Sequence, residues 1–205
     1  MPSPAIQPRS PAIYSLHIEL LGIQPPIWRE IRLDGDARLS DLHQIIQAVM
    51  GWESSQFHKF EIHTNHYGTA DQTTDDSEWE IHDEKDFRLN QLLHAGETFL
   101  YLYDFGAEWK HLIRVDNVQP IEEDDFGRGE VWVDGGERAC PPECADGVPA
   151  YQNILDKFEN APYGDEILGH QEWLGTDFDP DRFDRPAANA AVARLLYNGW
   201  IQIGS

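Results

Sequence analysis

The chain has 205 residues, 40% of them hydrophobic and 11% aromatic, enough apolar material to bury a core and to exclude global disorder. Fifteen Lys and Arg stand against 37 Asp and Glu, a formal net charge of −22. Such a surface repels nucleic-acid phosphates and anionic lipid, so direct nucleic-acid binding and membrane attachment are set aside, while a basic protein partner or a divalent cation is allowed.

Residues 1–11 are rich in proline and read as a disordered arm. From Ile13 to Leu21 apolar and polar positions alternate, with Tyr14, Leu16, Ile18 and Leu20 on one face, the pattern of a half-buried strand. Ile27–Leu33 alternates again, placing Arg29 on the face of Ile27, Ile31 and Leu33, and the two segments are expected to pair antiparallel. Ser40 is a candidate N-cap, Leu42, Ile45, Ile46 and Val49 recur at helical spacing, and Gly51 supplies the stop, so a helix is expected over 40–50. A strand is expected near 57–64. Residues 71–86 are crowded with Asp and Glu and read as a solvated loop.

Leu89–Leu93 reads as a short helical turn. Glu97–Tyr103 and Trp109–Val118 read as strands joined by a turn at Asp104-Phe105-Gly106. Residues 119–130 form a second acidic loop, and 130–133 a short edge strand. The last third is helical, with segments over 149–158, 165–173 and 186–197; Pro186 suits a first helical turn. The fold class is therefore α+β, a mostly antiparallel sheet with the helix at 40–50 packed on it and a helical C-terminal third. The expected organisation is one domain over 12–205, β-rich through residue 118.

No apolar run approaches the roughly 18 residues that span a bilayer, and no secretory signal is read at the N-terminus, so the expected compartment is the cytoplasm. The two cysteines, Cys140 and Cys144, are too few for a disulfide scaffold. Their spacing, stiffened by Pro141 and Pro142, could turn both sulfurs toward one zinc or other divalent ion, with His111, His170 or Glu143 completing the set. Ordinary structural thiols are the competing reading. Asp104 and His111 flank one tight turn, a pairing that orients an imidazole for acid–base chemistry or simply caps the turn. His58, His63 and His66 differ in strand parity and read as incidental. The nucleotide-binding, zinc-protease and esterase signatures are absent.

Taken in order, these residues resemble a known family. Pro26-Ile27-Trp28-Arg29, Leu39…Leu42, Gly51-Trp52, Phe57-His58…Phe60, Tyr67-Gly68, Tyr103-Asp104-Phe105-Gly106…Trp109…His111, Cys140-Pro141-Pro142-Glu143…Gly147…Tyr151 and Phe178-Asp179-Pro180…Phe183 look like the plasmid pRiA4b ORF-3-like proteins. That family is similar to passenger proteins of insertion elements that are sometimes labelled TnpR-like. The resemblance implies an α+β fold and an association with plasmids or mobile elements, and no assigned activity.

Two functions of different kind follow. One is a non-catalytic interaction or accessory module. The other is a metal- or thiol-dependent enzyme, of hydrolase type, with catalytic candidates Asp104, His111, Cys140 and Glu143, binding candidates Arg29, His58 and Trp109, and metal candidates Cys140, Cys144 and His111. A buried polar network around Arg29, Asp104 and His111 is the structural counterpart to both.

Overall fold

The alternation read along the first strand becomes a strict alternation of burial. A computed structural model of the chain describes residues 11–69, 80–121, 129–160, 174 and 178–203; in it Ala12–Leu20 is strand β1, every second side chain buried. Ile27–Asp34 is β2, paired antiparallel with β1 from Leu20↔Ile27 to Ile13↔Asp34. Helix α1 spans Leu39–Met50. It begins one residue before the expected start, and Ser40 is not its cap. Arg38 holds that position, and its backbone N–H donates to the Asp41 carboxylate at 3.0 Å. Gly51 ends the helix in the left-handed region, φ 80°, where a side chain would be strained.

The strand expected at 57–64 is β3 (His58–Ile62), and a second strand that was not expected, β4 (Asn65–Gly68), turns back to pair with it as a hairpin. Part of the acidic stretch 71–86 is ordered into structure. Residues 81–83 form β5, parallel to β4, and 84–86 a 3₁₀ turn; residues 71–79 lie outside the described residues. Helix α2 is Leu89–Leu92. Strands β6 (Thr98–Tyr103) and β7 (Trp109–Pro120) pair antiparallel. The expected edge strand is longer than its sequence signal, β8 at Val131–Glu137. Helices α3 (Gly147–Asn160) and α4 (Arg185–Tyr197) follow, and Asp184 caps α4 by accepting from the Ala187 amide at 2.9 Å. The arm at 1–10, most of the loop at 119–130 and the helix expected over 165–173 lie outside the described residues.

The eight strands make one sheet in the order β5-β4-β3-β6-β7-β1-β2-β8, antiparallel except at β4–β5. The architecture is α+β, as the element order implied. β7 runs beside β1 with a bulge after Val115, which re-phases the long strand so that both Val115 and Val118 turn toward the β1 core positions Leu16 and Tyr14. Helices α1 and α4 pack on each other, and α1 covers the inner sheet face that carries Arg29. Among the described residues no helix is long and apolar enough to cross a membrane.

Candidate functional site

Helix α1 puts two polar side chains on its buried face one turn apart, His43 and Gln47, only 3% and 2% exposed. Buried polar groups need partners, and both find them on the sheet and on the loop that follows the helix. His43 Nδ1 lies 2.7 Å from the Tyr101 hydroxyl of β6, and His43 Nε2 lies 2.6 Å from Ser54 Oγ. His58, the first residue of β3, stacks flat on His43, ring centroids 3.5 Å apart and planes within 3°. His58 Nε2 in turn lies 2.8 Å from a carboxylate oxygen of Glu84 on the 3₁₀ turn. The pair sits on the wall of a cavity of about 640 Å³, bounded also by the 54–57 loop, Lys85 and Trp200.

The protons of this chain can be assigned. The Ser54 backbone N–H donates to Gln47 Oε1 at 3.0 Å, which fixes the amide orientation. Gln47 Nε2 therefore donates to the Tyr101 hydroxyl at 2.9 Å. Tyr101 is fully buried, and leaving its own proton unplaced would cost about 1–3 kcal/mol. That proton goes to His43 Nδ1, so His43 carries its hydrogen on Nε2 and donates it to Ser54 Oγ. Burial, reinforced by the charge of the stacked His58, drives the His43 pKa down to about 2, so the ring is neutral. The serine hydroxyl is left to donate elsewhere.

A second cluster holds the loop that carries Ser54. Trp52 Nε1 donates to the Pro141 carbonyl at 2.8 Å. The Glu143 carboxylate accepts from the Glu53 amide at 2.7 Å, the Ser55 hydroxyl at 2.8 Å and the Tyr103 hydroxyl. Burial alone would raise the Glu143 pKa, but these donors outweigh it and hold the carboxyl below its ordinary range. Tyr103 is pushed up to about 12, by burial and then by that carboxylate. Beneath the loop, Arg29 donates to the carbonyls of Val49 (3.1 Å), Trp28 (2.7 Å), Glu137 (2.8 Å) and Arg138 (2.9 Å), and to Cys140 Sγ (2.9 Å). The Phe183 ring lies over its guanidinium, 4.0 Å to the centroid. Only a glycine at 136 permits that stack, since a Cβ there would meet the Phe183 ring at 2.5 Å. The segment Cys140-Pro141-Pro142-Glu143 is thus a clamp across the C-terminal end of α1.

The comparisons with known proteins agree with one another. The family described as Plasmid pRiA4b ORF-3-like protein matches residues 12–187. The chain belongs to the plasmid pRiA4b ORF-3-like family. It is 28% identical over 190 residues to the uncharacterized protein y4hQ of Sinorhizobium fredii (strain NBRC 101917 / NGR234), covering 90% of this chain and 92% of that one. It is also similar to the crystal structure of a protein of unknown function, MM3350 from Methanosarcina mazei Go1. The TM-score is 0.75 at 30% identity, over 87% of this chain and 97% of that one.

The family-matched residues singled out as catalytic or ligating divide between different tasks. Asp104 caps its own turn, its carboxylate accepting from the amides of Gly106 (2.9 Å) and Ala107 (3.2 Å). Trp109 and His111 share a face of β7, as their spacing required, and both are fully buried. Trp52 lies across both, edge-on to His111 at 5.4 Å and tilted to Trp109 at 6.0 Å. Burial lowers the His111 pKa to about 4, with the Arg29 charge acting in the same direction. The carbonyls of Tyr101 and Trp109 oppose that shift, but neither ring nitrogen has a hydrogen-bond partner among the described residues, nor does Trp109 Nε1.

Cys140 is pressed against Arg29 and Met50, its thiol pKa raised by burial against the pull of the guanidinium, while Cys144 is exposed. This set does not fit zinc. Its central sulfur already faces a buried cation, and a second cation there would be repelled. Among the described residues no three His, Cys, Asp or Glu side chains are placed to hold a metal ion. His58, by contrast, lines the pocket wall beside His43. His43, Ser54, Glu84 and Tyr101 escaped the sequence reading. The one signal that could have pointed to His43 was a polar residue beside Leu42 on the apolar stripe of α1.

Proposed function

We propose that this protein is a non-catalytic binding module whose ligand site is the Ser54–His43–His58 pocket, and whose net charge of −22 suits a basic protein partner. One observation carries this reading: the run of donors from Ser54 N–H through Gln47 and Tyr101 puts the His43 proton on the nitrogen that faces Ser54. A general base would need a lone pair there. The site is built to hold Ser54 still and to offer its hydroxyl proton to a guest. The family's description, which names a plasmid, supports placing the module with plasmid or mobile-element functions.

The enzyme reading rests on a different feature. Ser54 adopts φ 59°, a conformation rare for a non-glycine residue and common where strain serves catalysis, and its Oγ is 2.6 Å from an imidazole. Long-range proton–nitrogen correlation spectra of histidine-labelled protein distinguish the two. The binding reading expects His43 protonated on Nε2 and unprotonated on Nδ1 from pH 5 to 8. The opposite tautomer, or an adduct at Ser54 after treatment with a fluorophosphonate, would replace it with a serine hydrolase.

A further inference from the structure

The pocket has an unusual balance of walls. Trp200 and Phe57 both line it, and they are 64% and 54% exposed. Large aromatic faces turned to solvent inside a concavity are what a ligand ring covers. The position of Trp200 is fixed. Ile201 and Ile203, which follow it, are buried, and the Gln202 amide between them donates to Asp41 Oδ1 at 3.3 Å, which ties the segment to the start of α1.

The charges of the pocket are already committed. Asp41 is buried, accepts from the backbone amides of Arg38 and Gln202 and is balanced by the charges of Arg38 and Arg88, Glu84 is held by His58 at 2.8 Å, and His43 is neutral. An ionic guest, of either sign, would find no free counter-charge at the base. Among the described residues Lys85, exposed at the mouth, is the lining side chain whose charge has no carboxylate partner. What remains on offer is neutral and two-way: the hydroxyls of Ser40, Ser54 and Thr69 and the amides of Gln44 and Gln56. Each of these side chains both donates and accepts, which is the hydrogen-bonding character of a ligand hydroxyl.

We infer that the pocket binds a neutral, hydroxyl-bearing ring, a short carbohydrate of one to a few sugar units, with one ring face stacked on Trp200 and its hydroxyls bonded to the Ser54 hydroxyl and the Gln44 and Gln56 amides. A cavity of about 640 Å³ lies within the range that encloses ligands of this size. The inference rests on the pocket being a binding site rather than a hydrolase centre, and it adds the class of ligand.

The test is saturation-transfer NMR on the full chain with glucose, galactose, N-acetylglucosamine, maltose and cellobiose at millimolar concentration, beside adenosine monophosphate and an oligolysine peptide. Transfer to the ring protons of at least one sugar is expected. It should weaken roughly tenfold in Trp200→Ala, the loss of one stacked ring, and in Ser54→Ala by a smaller factor. Trp200 is mostly exposed, so its variant should keep the wild-type melting temperature, which separates lost binding from lost folding. No transfer to any sugar, or transfer unchanged in Trp200→Ala, overturns the inference. Binding of the peptide or the nucleotide alone would also overturn it while leaving the binding module intact. A fluorophosphonate adduct at Ser54 would instead remove the reading on which it rests.

Discussion

Arg29 shows how much one buried side chain can organise. It is 2% exposed and spends its guanidinium on five neutral acceptors drawn from β2, the last turn of α1 and the strand-end segment 137–140. Arg29→Lys keeps the charge but loses the planar fork, stranding several carbonyls. It should cost about 3 kcal/mol or more, read as a fall in the denaturation midpoint by urea. His111 makes the opposite case. Among the described residues neither ring nitrogen has a well-formed hydrogen bond, and the nearby Tyr101 and Trp109 carbonyls only partly offset its burial, so replacing it by an apolar side chain of similar size removes a desolvation penalty, and His111→Leu should leave stability unchanged or raise it by about 1–2 kcal/mol. A marked loss would mean that the ring holds a buried water.

The same residue predicts an acid limb. Above pH 6.5 the His111 imidazole is neutral folded and unfolded and adds no pH dependence. Below it the unfolded chain takes up the proton first, because the folded pKa is about 4, so stability is lost as pH falls from 6.5 toward 4, by on the order of 3 kcal/mol. His43, held near 2, extends that loss to lower pH. Urea midpoints at pH 7, 5.5 and 4.5 should fall steadily, and less steeply in His111→Leu; an equal slope in both proteins would assign the limb to other groups. At this scale parity was legible: Arg29, Trp109 and His111 face inward as their alternation demands. The partners of Arg29 on the 137–140 segment were not, because hydrogen bonds between residues about a hundred positions apart leave no local pattern.

Elements were the most readable level where one face is buried. β1, β2, α1 and β7 follow chiefly from periodicity, since burying one side of a strand or helix stamps a repeat of two or 3.6 on the sequence, and β6 from its run of strand-forming residues. β5 and the 3₁₀ turn were hidden inside an acidic stretch. Three residues are too few to show a period, and β5 is an edge strand only half buried. The Cys140-Pro141-Pro142-Glu143 segment was legible as a motif but not as a clamp. Its sequence offers thiols and a carboxylate, and only the fold shows Glu143 accepting from the backbone of the 53–55 loop. Glu143→Gln keeps the size and some acceptor strength but loses the charge that strengthens these bonds. It should cost about 1–2 kcal/mol and speed hydrogen exchange at the Glu53 and Ser55 amides before it speeds exchange in β1. Unchanged protection at those two amides would show that the loop holds its shape without the clamp.

For the molecule as a whole, charge is the dominant unbalanced quantity. A net −22 on 205 residues means that folding gathers like charges closer than the unfolded chain does, a self-repulsion that weakens the compact state. Ion pairs such as Arg32–Asp134 at 2.5 Å and Arg182–Asp184 at 3.0 Å lie at the surface, where a single pair contributes at most about 1 kcal/mol. Salt acts on the two in opposite directions. Raising the ionic strength from about 10 mM to 150 mM shortens the screening length from roughly 30 Å to 8 Å. That suppresses the repulsion summed over the whole surface, while contact pairs only a few ångströms long are weakened far less. The net effect should be stabilising, with the melting temperature rising by about 2–4 °C for each 1 kcal/mol gained in a chain of this length. Sodium chloride and sodium sulfate compared at equal ionic strength separate screening from the extra effect of sulfate on apolar burial. A melting temperature that falls as sodium chloride is added would mean that the surface pairs outweigh the net charge. In that case the acidic surface would be knitted together by its few cations rather than held ready for a basic partner.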